Sequence, residues 1–254
     1  MNIEKLRKNK RKIILSACML FSSISYCQVL LNMKYEGADG VPQNLEFHDA
    51  SGQIIPIGDR TDINGSPLFN DKWGYGIIRL KNRIIISDSA IGYSLYNAGL
   101  FLKRNGTVFV IDYPVKEFSL EFPGDLNNNN NNKIYNFQNG FPAIEGYDSL
   151  TFYEVLYGGN SVSLLKLANK KVVEPYQYGV GGHREYILYQ EYFAFLPKEN
   201  KMIELGIKMG LNAIRKKLPG FAYQISIFPN KYDSKKEGDL IQLFSYLDTK
   251  NSLK

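Results

Sequence analysis

Phe152-Tyr153-Glu154-Val155-Leu156-Tyr157 and Val162-Ser163-Leu164-Leu165-Lys166-Leu167 stand on either side of Gly158-Gly159-Asn160. Both arms are aromatic and aliphatic. The junction holds residues that accept positive φ or bond their own backbone through a short side chain. Short apolar runs bounded by such a turn predict a β-hairpin.

The same arrangement repeats towards the N-terminus. Tyr93–Lys103 and Thr107–Ile111 flank Asn105-Gly106, the dipeptide most suited to a two-residue hairpin turn. Gly76–Leu80 and Arg83–Asp88 flank Lys81-Asn82, and Leu45–His48 and Ile54–Ile57 flank a Gly-bearing turn at Asp49–Gln53. Val29–Tyr35 and Val115–Phe122 read as further strands, and Glu185–Tyr189 and Tyr192–Leu196 as two more. Turn signals about 8–12 residues apart favour antiparallel meanders. No helical period of 10–15 residues separates strands before residue 200, which argues against a parallel sheet. Asn127–Asn132 is a run of six asparagines. Asparagine side chains compete with the backbone for hydrogen bonds, so this run predicts an exposed loop.

The period changes near the C-terminus. Ile203, Ile207, Leu211, Ile214 and Leu218 recur at three or four residues and predict one apolar helical face. Leu240, Ile241, Leu243, Phe244 and Leu247 form a second such stripe within Lys235–Leu247. Phe221–Phe228 fits a strand by alternation and a helix by Leu218, Phe221, Ile225 and Phe228, with Pro219 at its first position. The expected class is α+β: an antiparallel strand-rich body over residues 28–200, then two or three helices over 201–254 packed on the sheet.

Three stretches carry a resemblance. They are Asn64–Trp73 followed by Gly76–Leu80, the hairpin Phe152–Leu156 with Ser163–Lys166, and Lys235-Lys236-Glu237-Gly238-Asp239-Leu240-Ile241-Gln242-Leu243. In that order they resemble an uncharacterised family of secreted or periplasmic Gram-negative bacterial proteins with a GSPYL-type loop, a FEVL…SLLK hairpin and a KKEEDLIKL-type C-terminal helix. The resemblance runs from about Leu45 to Leu247. It implies export and a helical Pro219–Phe228, and it carries no catalytic residue. The chain departs from the family pattern in that segment, apolar here and usually charged, and in the asparagine run.

Residues 1–27 have the parts of a secretory signal peptide. Met1–Lys12 is cationic, Ile13–Ile24 is apolar, and Ser25 and Cys27 put small side chains before a cut at Cys27–Gln28. The apolar run is shorter than the roughly 20 residues of a membrane span. Leu15-Ser16-Ala17-Cys18 matches a lipobox, the alternative that would place a lipid on Cys18, although only Ile13, Ile14 and Leu15 separate it from the basic block. Removing the six Lys/Arg and one acid of residues 1–27 leaves 25 Lys/Arg against 24 Asp/Glu, a net of +1, where the whole chain carries +6. A balanced mature chain gives no electrostatic footprint for nucleic acid. Both cysteines lie in this leader, so the mature chain has no thiolate chemistry or disulfide.

The mature chain has two histidines. His48 stands two residues after Glu46 and beside Asp49, the start of a metal site that lacks a third ligand. Gly181-Gly182-His183-Arg184 is an anion-site candidate, because successive glycines can form a backbone nest beside an arginine. It fits neither phosphate-loop fingerprint, and a strand follows it where a helix should begin. No G-x-S-x-G elbow occurs. Glu145, Asp148, Glu154 and Glu191 are the carboxylates available for glycoside hydrolysis. Asn64-Gly65-Ser66 and Asn105-Gly106-Thr107 match glycosylation sequons, and their Asn-Gly turns account for them. Tyr75, Tyr93, Tyr96, Tyr176, Tyr178, Tyr186, Tyr189 and Tyr192 are where half-buried sheet surfaces favour tyrosine, a residue that also stacks on sugars or anchors partners.

No cofactor motif is present. These features favour a non-enzymatic binding or structural module of the cell envelope, periplasmic or secreted, with a protein or glycan partner. The alternative class is a hydrolase acting on envelope glycans or peptides.

Overall fold

The computed structural model describes residues 46–48, 54–56, 63–104, 107–123, 132–174, 184–206 and 210–251. The leader, both cysteines, Val29–Tyr35, Asp49, Tyr176, Tyr178 and Gly181-Gly182-His183 lie outside these residues, as does the asparagine run except Asn132. β1 (Glu46–His48) and β2 (Ile54–Pro56) form the expected hairpin. The remaining strands belong to one sheet. They are β3 (Ile63–Asn64), β4 (Gly74–Leu80), β5 (Ile85–Tyr93), β6 (Leu100–Arg104), β7 (Thr107–Val110), β8 (Val115–Phe122), β9 (Lys133–Gln138), β10 (Tyr153–Tyr157), β11 (Ser163–Val173), β12 (Arg184–Leu196) and β13 (Lys201–Gly206).

The spatial order is β13-β12-β11-β10-β9-β8-β4-β5-β6-β7, with β3 on β12. Consecutive strands pair antiparallel from β4 to β7 and from β8 to β13, and β8 returns to lie beside β4. Arg104 opposes Thr107 across Asn105-Gly106, the register of a two-residue hairpin. The sheet is not purely antiparallel: Ile63 and Asn64 run parallel to Arg184 and Glu185. Sequence periodicity missed this because a two-residue strand has no period to read.

Three further expectations change. Lys201–Gly206 is a strand, so the helix expected over Ile203–Leu218 shrinks to α1 (Leu211–Lys217). Glu185–Leu196 is one strand where two were expected, and Lys133–Gln138 is a strand where none was expected. Of the Pro219–Phe228 segment, Pro219–Ser226 is helical and not a strand: a 3-10 turn at Pro219–Phe221 leads into α2 (Ala222–Ser226). α3 spans Glu237–Asn251.

Cross-strand pairing sorts the side chains onto two faces, because directly opposed residues share a side of the sheet. One face carries Ile78, Phe118, Phe137, Glu154, Lys166 and Tyr192 in a continuous row from β4 to β12. Helices cover its β10–β13 end, where Val162, Leu164, Ala194 and Leu205 pack on Ile214, Leu218, Phe221, Ile225, Leu240, Leu243, Phe244 and Leu247. Aromatic rings cover its middle. Phe118 stacks on Phe137 at 4.7 Å, and Phe69 meets Phe137 edge-on at 5.1 Å. Phe69 arrives there on the Asn64–Trp73 loop, which the buried Lys170 ammonium holds by donating to the carbonyls of Ser66 and Leu68 and to the Asp71 carboxylate.

The second face is covered over β10–β13 by the loop of residues 139–151. Phe141 and Tyr147 pack there on Tyr153, Phe193 and Leu165. Among the described residues, nothing covers this face over β4, β8 and β9.

Candidate functional site

Strands β4, β8 and β9 present three cross-strand ladders on the open face. Tyr75, Glu121 and Ile134 form the first. Ile77, Ser119 and Asn136 form the second, and Arg79, Glu117 and Gln138 the third. Each strand alternates a buried residue towards the aromatic core with one of these outward residues. Period-two patterning thus builds the core and the open surface together. Between them the ladders make a groove of about 470 Å³, lined by Ile77, Arg79, Glu117, Ser119, Asn136 and Gln138 and bounded by Val155 and Gly158 of the neighbouring hairpin. That volume lies within the ordinary range of ligand sites.

The groove is electrically quiet. Arg79 Nε lies 3.1 Å from Glu117 Oε1, and Glu121 Oε1 accepts a 2.6 Å hydrogen bond from Asn132. Ser119, Asn136 and Gln138 have no hydrogen-bonding side-chain partner among the described residues, and their hydroxyl and carboxamides face the groove. Apolar surface accompanies them. Tyr75 is 53% exposed, Ile77 41% and Ile134 57%, more than an inward-packing sheet face would leave.

Charged groups with displaced pKa values lie at the two ends of α3. At the seam between sheet and α3, Lys166 Nζ sits 2.8 Å from Glu154 Oε2 and 2.8 Å from Glu237 Oε2, and the Tyr192 hydroxyl donates to Glu237 Oε2 at 3.0 Å. Burial pushes the Glu154 carboxyl up, although Lys166 pulls against it. Burial alone would lower Lys166, but Glu154 and Glu237 outweigh it and hold the ammonium above its usual range. Tyr192 is raised to about 12, first by burial and then by Glu237. At the other end of α3, Asp248 accepts the backbone N–H of Ser161 at 2.6 Å and of Val162 at 3.3 Å, and the Tyr157 hydroxyl at 3.2 Å. Its carboxyl closes the β10–β11 turn onto the helix. Gly159 must be glycine there, since a Cβ would fall 2.4 Å from the Val162 carbonyl and 2.6 Å from Asp248 Cγ.

Glu154 stands apart from the other carboxylates singled out by sequence, while Asp148 and Glu191 both act on Tyr153. Glu154 is buried at the helix seam. Glu191 stands on the opposite face, where its Oε2 accepts the Tyr147 hydroxyl at 3.1 Å. Asp148 is exposed and closes its own turn by accepting from the Leu150 N–H and the Thr151 hydroxyl, and Glu145 is exposed on the same loop. Glu46 and His48 lie two apart in β1, and Arg184 begins β12 beside β3. Among the described residues no three His, Cys, Asp or Glu side chains gather as a metal site. Nor is any described helix long and apolar enough to cross a membrane.

The tyrosines divide. Tyr93 is buried in the aromatic core, Tyr96 and Tyr186 pack edge to face at 5.7 Å, and Tyr189 is exposed under the Lys171 ammonium. Of those described, Tyr75 reaches the open face beside the groove. The sequence carried one signal for that groove, the polar half of the Val115–Phe122 alternation. Its β9 wall was missed although Ile134, Asn136 and Gln138 alternate with Tyr135 and Phe137 and Asn139-Gly140 follows, because the asparagine run before it drew the whole stretch into a loop reading. Comparison of the chain with protein-family models, curated proteins and solved structures returned no match.

Proposed function

We propose that this chain is an exported, non-enzymatic binding module of the cell envelope and that its binding surface is the open face of β4, β8 and β9. The observation that carries the reading is the groove itself. Its side chains pair polar groups free to bond a ligand with exposed aliphatic surface. The Glu154 and Asp248 carboxylates, whose pKa values are displaced, are engaged in holding α3 to the sheet. Export rests on the cationic and apolar segments of residues 1–27 and the small residues before Gln28.

The test is retention of the chain by envelopes isolated from producing cells. Ser119→Trp, which fills the groove, and Ile77→Asp, which charges its floor, should each release the protein into the soluble fraction. Lys198→Ala, on the exposed turn after β12, should leave retention unchanged. Retention unaltered by both groove variants overturns the binding reading. N-terminal sequencing of the same material should begin at Gln28, and a lipid-modified Cys18 at the terminus would overturn the cleavage assignment.

A further inference from the structure

The ligand class can be taken further, resting on the reading of the open face as the binding surface. β4, β8 and β9 are interior strands whose backbone groups are paired on both sides. A peptide cannot dock here by adding a strand, since that mode needs a free sheet edge. Recognition must come from side chains alone. The two charged residues of the groove lining, Arg79 and Glu117, are paired with each other, so the lining itself offers no net charge to a polyanion or a polycation.

What remains is a hydroxyl at Ser119 and carboxamides at Asn136 and Gln138, on adjacent ladders of one surface. Each carboxamide presents an acceptor oxygen and two donor hydrogens side by side. Beside them lie the aliphatic surfaces of Ile77 and Val155, with the Tyr75 ring one ladder away. Neutral donor–acceptor pairs alternating with flat apolar patches complement a sugar ring, whose hydroxyls project at its rim and whose C–H groups form its faces. An acetamido substituent adds a complementary amide, one N–H and one C=O, which a carboxamide can bond twice.

We infer that the groove binds a neutral glycan bearing acetamido groups. The probes are the tetramer of N-acetylglucosamine, the tetramer of glucose with the same linkage, and a tetramer of a uronic acid, each titrated calorimetrically into the chain recovered from producing cells. The acetamido tetramer should bind. Asn136→Ala and Gln138→Ala should each weaken it about tenfold, the scale of one or two lost hydrogen bonds. Ser119→Trp should abolish binding, and thermal melts should show all three variants folded. The glucose tetramer should bind at least about tenfold more weakly for want of the amide, and the uronic acid tetramer should not bind. Uronic acid binding equal to or tighter than acetamido binding overturns the inference, as does acetamido binding that survives Ser119→Trp. If no tetramer binds while Ser119→Trp still releases the protein from envelopes, the ligand class is wrong and the binding face stands. If concentration-dependent self-association is lost in Ile77→Asp and no tetramer binds, the face is an interface between copies and the glycan assignment fails. If envelope retention is also indifferent to the groove variants, both readings fail together.

Discussion

Asp248 shows how much one side chain can decide. It is nearly buried on the last turns of α3, yet its carboxylate closes a turn 86 residues earlier in the chain through the Val162 N–H. Burial raises its pKa, but the N–H groups of Ser161, Val162 and Asn160 and the Tyr157 hydroxyl overcome that and hold it below its ordinary 3.8. The unfolded chain therefore takes up this proton first as pH falls. The contribution to stability is intact above the ordinary value and is lost as pH drops through the depressed one. Asp248→Asn should cost about 2 kcal/mol at neutral pH, as charge-assisted bonds weaken to neutral ones. The difference from wild type should vanish in acid, a comparison that urea midpoints from pH 7 down to about pH 2 would make. A pH-independent difference would mean that the charge is irrelevant to the turn. The sequence made the glycines and asparagine of this turn legible, but not its partner. Nothing in the pattern around Asp248 announces a bond to a residue so far away in the chain.

At the scale of elements, α3 meets the sheet through a hydrophobic stripe and a charged end. The stripe was legible, since Leu240, Leu243, Phe244 and Leu247 recur at helical spacing and are buried. The charged end was not, because Glu154, Lys166 and Glu237 come from three separate elements. Lys166→Met should cost about 3–5 kcal/mol at neutral pH, because it strands Glu154 as an uncompensated buried charge. Without the ammonium, burial and the Glu237 charge push Glu154 up against Lys133 alone, and its native pKa climbs further. The folded variant then binds a proton more tightly than its unfolded chain, so its stability improves as pH falls towards the ordinary glutamic acid range. The deficit relative to wild type should narrow on acidification, read again from denaturant midpoints, and a constant deficit would show that packing, not charge, is what the lysine supplies. The β13 misreading has a related cause. Met202 packs under the 139–151 loop, while Ile203 and Leu205 pack against the helices. A strand covered on both faces loses its alternation, and the remaining three- and four-residue spacings imitate a helix.

For the whole molecule, the question is whether the helix-covered end and the aromatic end of the sheet unfold together. The ladder from β13 to β7 is unbroken, and β10 to β12 serve both the helix core and the 139–151 loop core. Such continuity is expected to make the described sheet and helices one cooperative unit. The chain supplies its own reporter in Trp73, the single tryptophan. It lies just before β4 against Gly92, where a Cβ would come within 2.8 Å of the indole. Phe244 is fully buried among the helices. Phe244→Ala should cost about 3–5 kcal/mol through lost burial and the cavity it leaves. Lys235→Ala and Lys236→Ala, both exposed ahead of α3, should each change stability by less than about 0.5 kcal/mol. If the unit is cooperative, the Phe244→Ala loss should move the Trp73 fluorescence midpoint as far as the far-ultraviolet circular dichroism midpoint. A fluorescence midpoint left in place while the helical signal melts early would divide the molecule into a β4–β9 body and a separately folding helical end, and the open face would then be stable without the helices.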